Sequence, residues 1–191
     1  MFKPDQQEYA NKAARYAALQ AQASALLEGE HDPVANAANL AALIFHGIPG
    51  LNWAGFYFLQ QQELVVGPFQ GKPACVRIAM GRGVCGTAAE QRRTQVIEDV
   101  DSFAGHIPCD ADSRSELVVP LIDRAGTLIG VLDLDSPSRA HFDRDDAAGV
   151  EGLAQIYVAA LDARRPSVLS RPAGYPNPLL TTGATGQVQP V

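Results

Sequence analysis

The first quarter of the chain repeats apolar residues at helical spacing, in "QQEYANKAARYAALQAQASALLEGE" (6–30) and again in "DPVANAANLAALIFHGIP" (32–49). Ala, Leu and Gln dominate both stretches, so two amphipathic helices are predicted, together covering about residues 5–47. Asp32 ahead of Pro33 is a capping residue before a proline at the first helical position, and Gly47 with Pro49 marks the stop. The period then shortens. "NWAGFYFLQQQELVVGPFQ" (52–70) sets aromatic and β-branched runs around a polar "QQQE", the pattern of a β-hairpin. "ACVRIAM" (74–80) predicts another strand, and "GVCGTAAEQRR" (83–93) a short helix behind a glycine-rich turn. "TQVIEDV" (94–100) predicts a short strand, and the stretch from Asp101 to Ser115 a long connection. "ELVVPLID" and "TLIGVLDLD" are the two clearest strands, joined at "RAG" by a tight turn, and a last helix runs from about Asp143 to Asp162 with acidic residues in its first turn.

This order predicts an α+β fold: a central antiparallel sheet with helices packed on one face, and loops and a short helix enclosing a pocket on the other. The apolar periodicity stops at Arg165, and the Pro- and Gly-rich stretch 166–191 is expected to be a flexible tail. With 191 residues, 47% of them hydrophobic, one domain is expected over 1–165, with its core at about 50–162.

The formal net charge of −6, with no Lys/Arg run, argues against nucleic acid and anionic membranes as partners. The amino terminus lacks the apolar core of a signal peptide and no apolar run approaches a membrane span, so a cytoplasmic location is expected. A reducing cytosol changes what the three cysteines mean, because structural disulfides are rare there. Cys75, Cys85 and Cys109 all fall within one short region. Each alone reads as a small buried hydrophobe; together they read as catalytic, redox-active or metal-binding thiols. A metal site made with His106 is disfavoured, because nothing resembles the paired knuckle spacing of structural zinc sites.

Asp133 and Asp135 alternate in "VLDLD", so both point away from the face that carries Leu132 and Leu134, and Glu116 opens the neighbouring strand. Like charges on one face raise at least one carboxyl pKa. Asp135, before Ser136 and Pro137, also fits a plain turn residue, and the single Trp53 also fits a core filler. Tyr57 shares the face of Trp53. Arg77, Arg82 and the glycines of "GRG" border the same region, with a solvated role equally open.

Taken together, "NWAGFY", "GPFQGKPACVRIAMGRGVCGTAA", "EDV", "GHIPCDADSRSELVVPLI" and "IGVLDLDSP" resemble the GAF-domain free methionine-(R)-sulfoxide reductases over about Asn52 to Leu161. Pro108 stands where members carry a small residue before the third cysteine. The resemblance implies a thiol-dependent reductase that converts free L-methionine-(R)-S-oxide to L-methionine. It implies no bound cofactor, thioredoxin or another dithiol as reductant, and a homodimer. By this resemblance Cys109 is the attacking thiol and Cys75 its resolver, with Cys85 the alternative partner. Cys85 also opens a helix, a position that favours thiolate, so it stays open as the nucleophile. Glu116, Asp133 and Asp135 would share proton donation to the sulfoxide and recognition of the substrate ammonium, and Trp53, bordered by Tyr57, would receive the methyl. A non-catalytic ligand sensor and a redox-switch protein are the other classes. Sensors usually carry an output domain and none is seen here, which makes an enzyme the expectation.

Overall fold

The computed structural model describes residues 9–105 and 111–162. Cys109, His106, Pro108, the start of the first predicted helix and the predicted tail lie outside them. Two helices come first, α1 (Lys12–Leu26) and α2 (Pro33–Gly47), followed by β1 (Trp53–Gln60), β2 (Glu63–Gly71), β3 (Arg77–Ala79), α3 (Gly83–Gln91), β4 (Gln95–Ile97), β5 (Ser115–Ile122), β6 (Leu128–Ser136) and α4 (Arg144–Asp162). A 3-10 turn at Val100–Ser102 follows β4.

Local chemistry sets the boundaries. The periodic stretch from residue 6 extends well upstream of α1, but Asn11 is extended and its side chain accepts the Ala14 N–H, so the helix starts at Lys12. Asp32 accepts the N–H groups of Val34 and Ala35 behind Pro33, as the capping pattern predicts. Only Arg77–Ala79 of "ACVRIAM" forms a strand, because Pro73 and the chain after it run as an irregular connection. "TQVIEDV" likewise pairs only over Gln95–Ile97, since Asp99 turns to accept the Asp101 N–H and open the 3-10 turn.

The six strands lie in the order β3-β2-β1-β6-β5-β4, every neighbour antiparallel. Strand alternation divides the side chains between two apolar cores. Ala54, Phe56, Leu117, Val119, Leu121, Leu132 and Leu134 point to one face, where α2 and α4 cover them and α1 packs in turn on α4 and α2. Trp53, Tyr57, Val118 and Val131 point to the other, against Val84, Cys85, Ala88 and Ala89 of α3. The helix-poor face is therefore closed by one short helix, by Ala74, Cys75 and Met80 from the chain between β2 and α3, and by Phe103 after β4. No helix among the described residues is long and apolar enough to cross a membrane.

A polar clasp fixes the helical layer. Lys12 at the head of α1 bonds Asp143, which caps α4, at 2.8 Å, and also bonds Asp146; Tyr16 donates to the buried Asp146 at 2.9 Å. Replacing Asp146 by Ala strands the Tyr16 hydroxyl and removes the Lys12 contact. It should cost about 2 kcal/mol, the scale of hydrogen bonds to charged groups, read as a lower urea midpoint with an unchanged m-value.

Candidate active site

The pairing register of three strands assembles a polar patch on the α3 side of the sheet. Trp53 pairs with Asp135, which pairs with Glu116, so these three form one row across β1, β6 and β5. The next row is Gly55, Asp133 and Val118, and the next begins with Tyr57 and Val131. Pleating gives all these residues one face, so Trp53, Tyr57, Glu116, Asp133 and Asp135 emerge together. α3 then lowers Cys85, its third residue, onto the patch.

The Cys85 thiol donates to Glu116 Oε1 at 3.7 Å, and one carboxylate oxygen each from Glu116 and Asp133 lies with Sγ inside a 4.8 Å cluster. Glu116 and Asp133 are each only 6% exposed and Cys85 4%, while Asp135 is half-buried. Asp133 Oδ1 is buried with no hydrogen-bond partner among the described residues. Its neighbours in the row, Gly55 and Val118, offer no polar side chain.

Such an environment favours neutral acids. Burial, then the facing charges of Asp133 and Asp135, push the Glu116 carboxyl well above its ordinary range, against the opposing bond from Cys85. Burial raises Asp133 to about 7, against bonds from Cys85 and the Leu134 backbone. Burial, then the charges of Asp133 and Glu116, pushes the Cys85 thiol well up. Desolvation and then the charges of Asp133, Glu116 and Asp135 therefore oppose the thiolate that the helix terminus favours at Cys85. Cys85, Glu116 and Asp133 are also the donors that could take a divalent cation, but only after giving up protons that this enclosure retains.

Cys75 sits half-buried in the β2–β3 connection and packs at the margin of the same core. The base of the long connection that contains Cys109 is held nearby: Asn52 donates to Ser113 at 3.0 Å, Arg114 N bonds Ser136 O at 2.8 Å, and Lys72 pairs with Asp112. Arg77 is exposed and bonded to Glu63 at 3.2 Å, and Arg82 is exposed at the start of α3, so neither joins the cluster. A cleft of about 530 Å³ that includes Arg92, Pro120 and Glu151 in its lining contains none of the predicted site residues.

Sequence reading passed over Phe69, which stacks on Trp53 at 5.2 Å. Tyr57 pairs with Val66, so simple counting sets Pro68 opposite Gly55; a bulge between them sets Phe69 there instead. Proline inside a strand was the available signal, because it lacks the ladder donor and gathers at bulges.

The GAF-domain pattern matches residues 11–161. The chain belongs to the GAF-domain family. It is 50% identical over 143 residues to the free methionine-R-sulfoxide reductase of Escherichia coli, a match covering 75% of this chain and 86% of that one. The free methionine-R-sulfoxide reductase from Neisseria meningitidis in complex with its substrate superposes with a TM-score of 0.78 at 44% identity, covering 82% of this chain and 93% of that one. The reduced form of the fRMsr of Staphylococcus aureus superposes at 0.74 with 49% identity, covering 76% and 94%.

The raised carboxyl has a thermodynamic consequence for this GAF domain. A folded pKa near 7 against an ordinary 3.8 means that the native state holds the Asp133 proton more tightly than the unfolded chain does. Its contribution to stability is thus whole below the ordinary value and is lost as pH rises towards 7. Asp133→Asn should remove that dependence. Urea denaturation across this range should show the variant gaining at least ~1 kcal/mol on the wild type, of the order of one pK unit; parallel profiles would contradict the assignment.

Proposed function

We propose that this chain is a thiol-dependent reductase that converts free L-methionine-(R)-S-oxide to L-methionine. The observation that carries the reading is the enclosed pair of raised carboxyls, Glu116 and Asp133, beside Trp53. It supplies proton donors next to an apolar wall, and the similar proteins bear the name of this activity.

A sulfoxide yields to a thiolate only when its oxygen is protonated as the S–O bond breaks. Cys109 attacks the sulfoxide sulfur while a carboxyl of the Glu116–Asp133–Asp135 group protonates the oxygen. The Cys109 Sγ–sulfur bond forms as the S–O bond breaks and the oxygen leaves as hydroxide. Hydroxide or water then attacks Cys109 Sγ and breaks the S–S bond, so the substrate sulfur has gained two electrons and departs as the thioether while Cys109 has lost two and carries the oxygen as a sulfenic acid. The Cys75 thiol then displaces that oxygen as water, forming a disulfide, and an external dithiol such as thioredoxin returns both cysteines to thiols. Cys85, buried and held as a neutral thiol against Glu116, suits the proton network better than nucleophilic attack. No bound cofactor enters these steps. A ligand sensor would use the same face, yet binding alone has no need of protonated carboxyls beside a thiol.

Racemic free methionine sulfoxide with excess dithiothreitol should be converted to methionine until about half is consumed, the proportion of one epimer. Cys109→Ser should abolish turnover, since a serine hydroxyl is a far weaker nucleophile at neutral pH. Absence of methionine with the wild type, or full activity in the variant, would overturn the reading.

Substrate size gives a second check. The carboxyl that recognises the substrate ammonium loses its partner when that nitrogen is acylated. N-acetyl-methionine sulfoxide should therefore show a fall of at least ~10-fold in kcat/KM, about 1.4 kcal/mol. Equal rates on both substrates would exclude a charged amino-acid pocket.

A further inference from the structure

Trp53, the only tryptophan in the chain, lies in a slot built from two aromatic walls over two glycines. Phe69 stacks on it with centroids 5.2 Å apart and planes at 16°, and Tyr57 stacks at 5.8 Å and 27°. A Cβ at Gly55 would stand 2.6 Å from Trp53 Cη2 and 2.3 Å from Phe69 Cβ, and one at Gly71 would stand 2.7 Å from Trp53 Cδ1. The indole thus runs over the sheet from Gly71 to Gly55 and closes the slot with an Nε1–H bond to Lys72 O at 3.2 Å. Its Cη2 edge comes to rest over Gly55, the β-sheet partner of Asp133.

That placement couples the apolar wall to the acid. A methionine sulfoxide sulfur is stereogenic, carrying methyl, methylene, oxygen and a lone pair. With the methyl held on the indole and the amino-acid end held elsewhere, one epimer directs its oxygen to the carboxyls and the other directs its lone pair there. The distinction survives only while the indole plane cannot tilt. Gly55 and Gly71 allow the ring to lie low, and Phe69, brought opposite Gly55 by the bulge, blocks its rotation.

We propose that Phe69 and Gly55 are positioning residues that determine epimer specificity by fixing the plane of Trp53 beside Asp133. The proposal rests on the reductase reading above, with Trp53 as the surface that receives the methyl.

The test uses the full chain carrying Phe69→Leu, which removes the stacking wall at a half-buried position, and Phe69→Tyr, which keeps the ring. kcat/KM is measured separately for the R and S epimers, and near-ultraviolet circular dichroism reports the lone tryptophan. Phe69→Leu should lower the R-to-S ratio at least ~10-fold, the discrimination attached to one apolar contact, and should alter the tryptophan signal; Phe69→Tyr should restore both. Gly55→Ala, whose methyl would meet Phe69 Cβ and Cα as well as the indole and so displace both stacked rings, should lower the same ratio. A wild-type ratio in Phe69→Leu, or a lowered ratio with an unchanged tryptophan signal, would overturn the proposal while leaving the reductase intact. A wild type without activity would overturn the reductase reading, and the inference with it.

Discussion

The register between β6 and its two neighbours is the constraint on which the rest of the site depends. With Asp135 opposite both Trp53 and Glu116, and Asp133 opposite Gly55, every acidic side chain of this group faces α3. A shift of one residue would turn Asp133 and Asp135 into the core beneath α2 and α4, and turn Leu132 and Leu134 out of it. The cost of that exchange, several apolar side chains uncovered and two carboxyls buried among hydrocarbon, is what keeps the register unique. The same leucines that stabilise the fold therefore aim the acids.

Enclosure then determines what those acids are. On a solvated face they would be ordinary carboxylates. Under α3, with Val118 and Val131 around them and Cys85 against Glu116, ionisation is penalised by lost solvation and by mutual repulsion. Among the described residues the protein accepts this cost at one place on the sheet, and the Asp133 oxygen that has no partner among them is polar capacity of a kind that a bound group can fill. Charged pairs elsewhere, such as Lys12 with Asp143, meet solvent and serve the joint between helices instead.

Much of this was legible in the sequence because the controlling signals are local and periodic. Alternation in "VLDLD" placed Asp133 and Asp135 on one face, and the Asp32–Pro33 pair located the start of α2 to the residue. The shared face of Trp53 and Tyr57 followed from the same period of two. Less legible was anything that depended on a cross-strand partner. The bulge that carries Phe69 past Pro68 is a property of the pair β1–β2, and the Cys85 thiol is pushed up first by its burial under the folded sheet and then by the charges of residues 48 and 31 positions away, against the helix terminus it occupies. The truncation of the β3 and β4 strands belongs to the same class, since propensity favoured longer strands than the edges of this sheet can pair.

Burial under α3 raises the Glu116 and Asp133 carboxyls and so keeps a protonated acid beside Cys85 near neutral pH. Infrared difference spectroscopy of the wild type against Glu116→Gln and Asp133→Asn at pH 6 tests it directly. A protonated carboxyl C=O stretch should be present in the wild type at a pH where ordinary Asp and Glu are ionised, and each substitution should reduce it. Wild-type spectra showing only ionised carboxylate bands at that pH would contradict this.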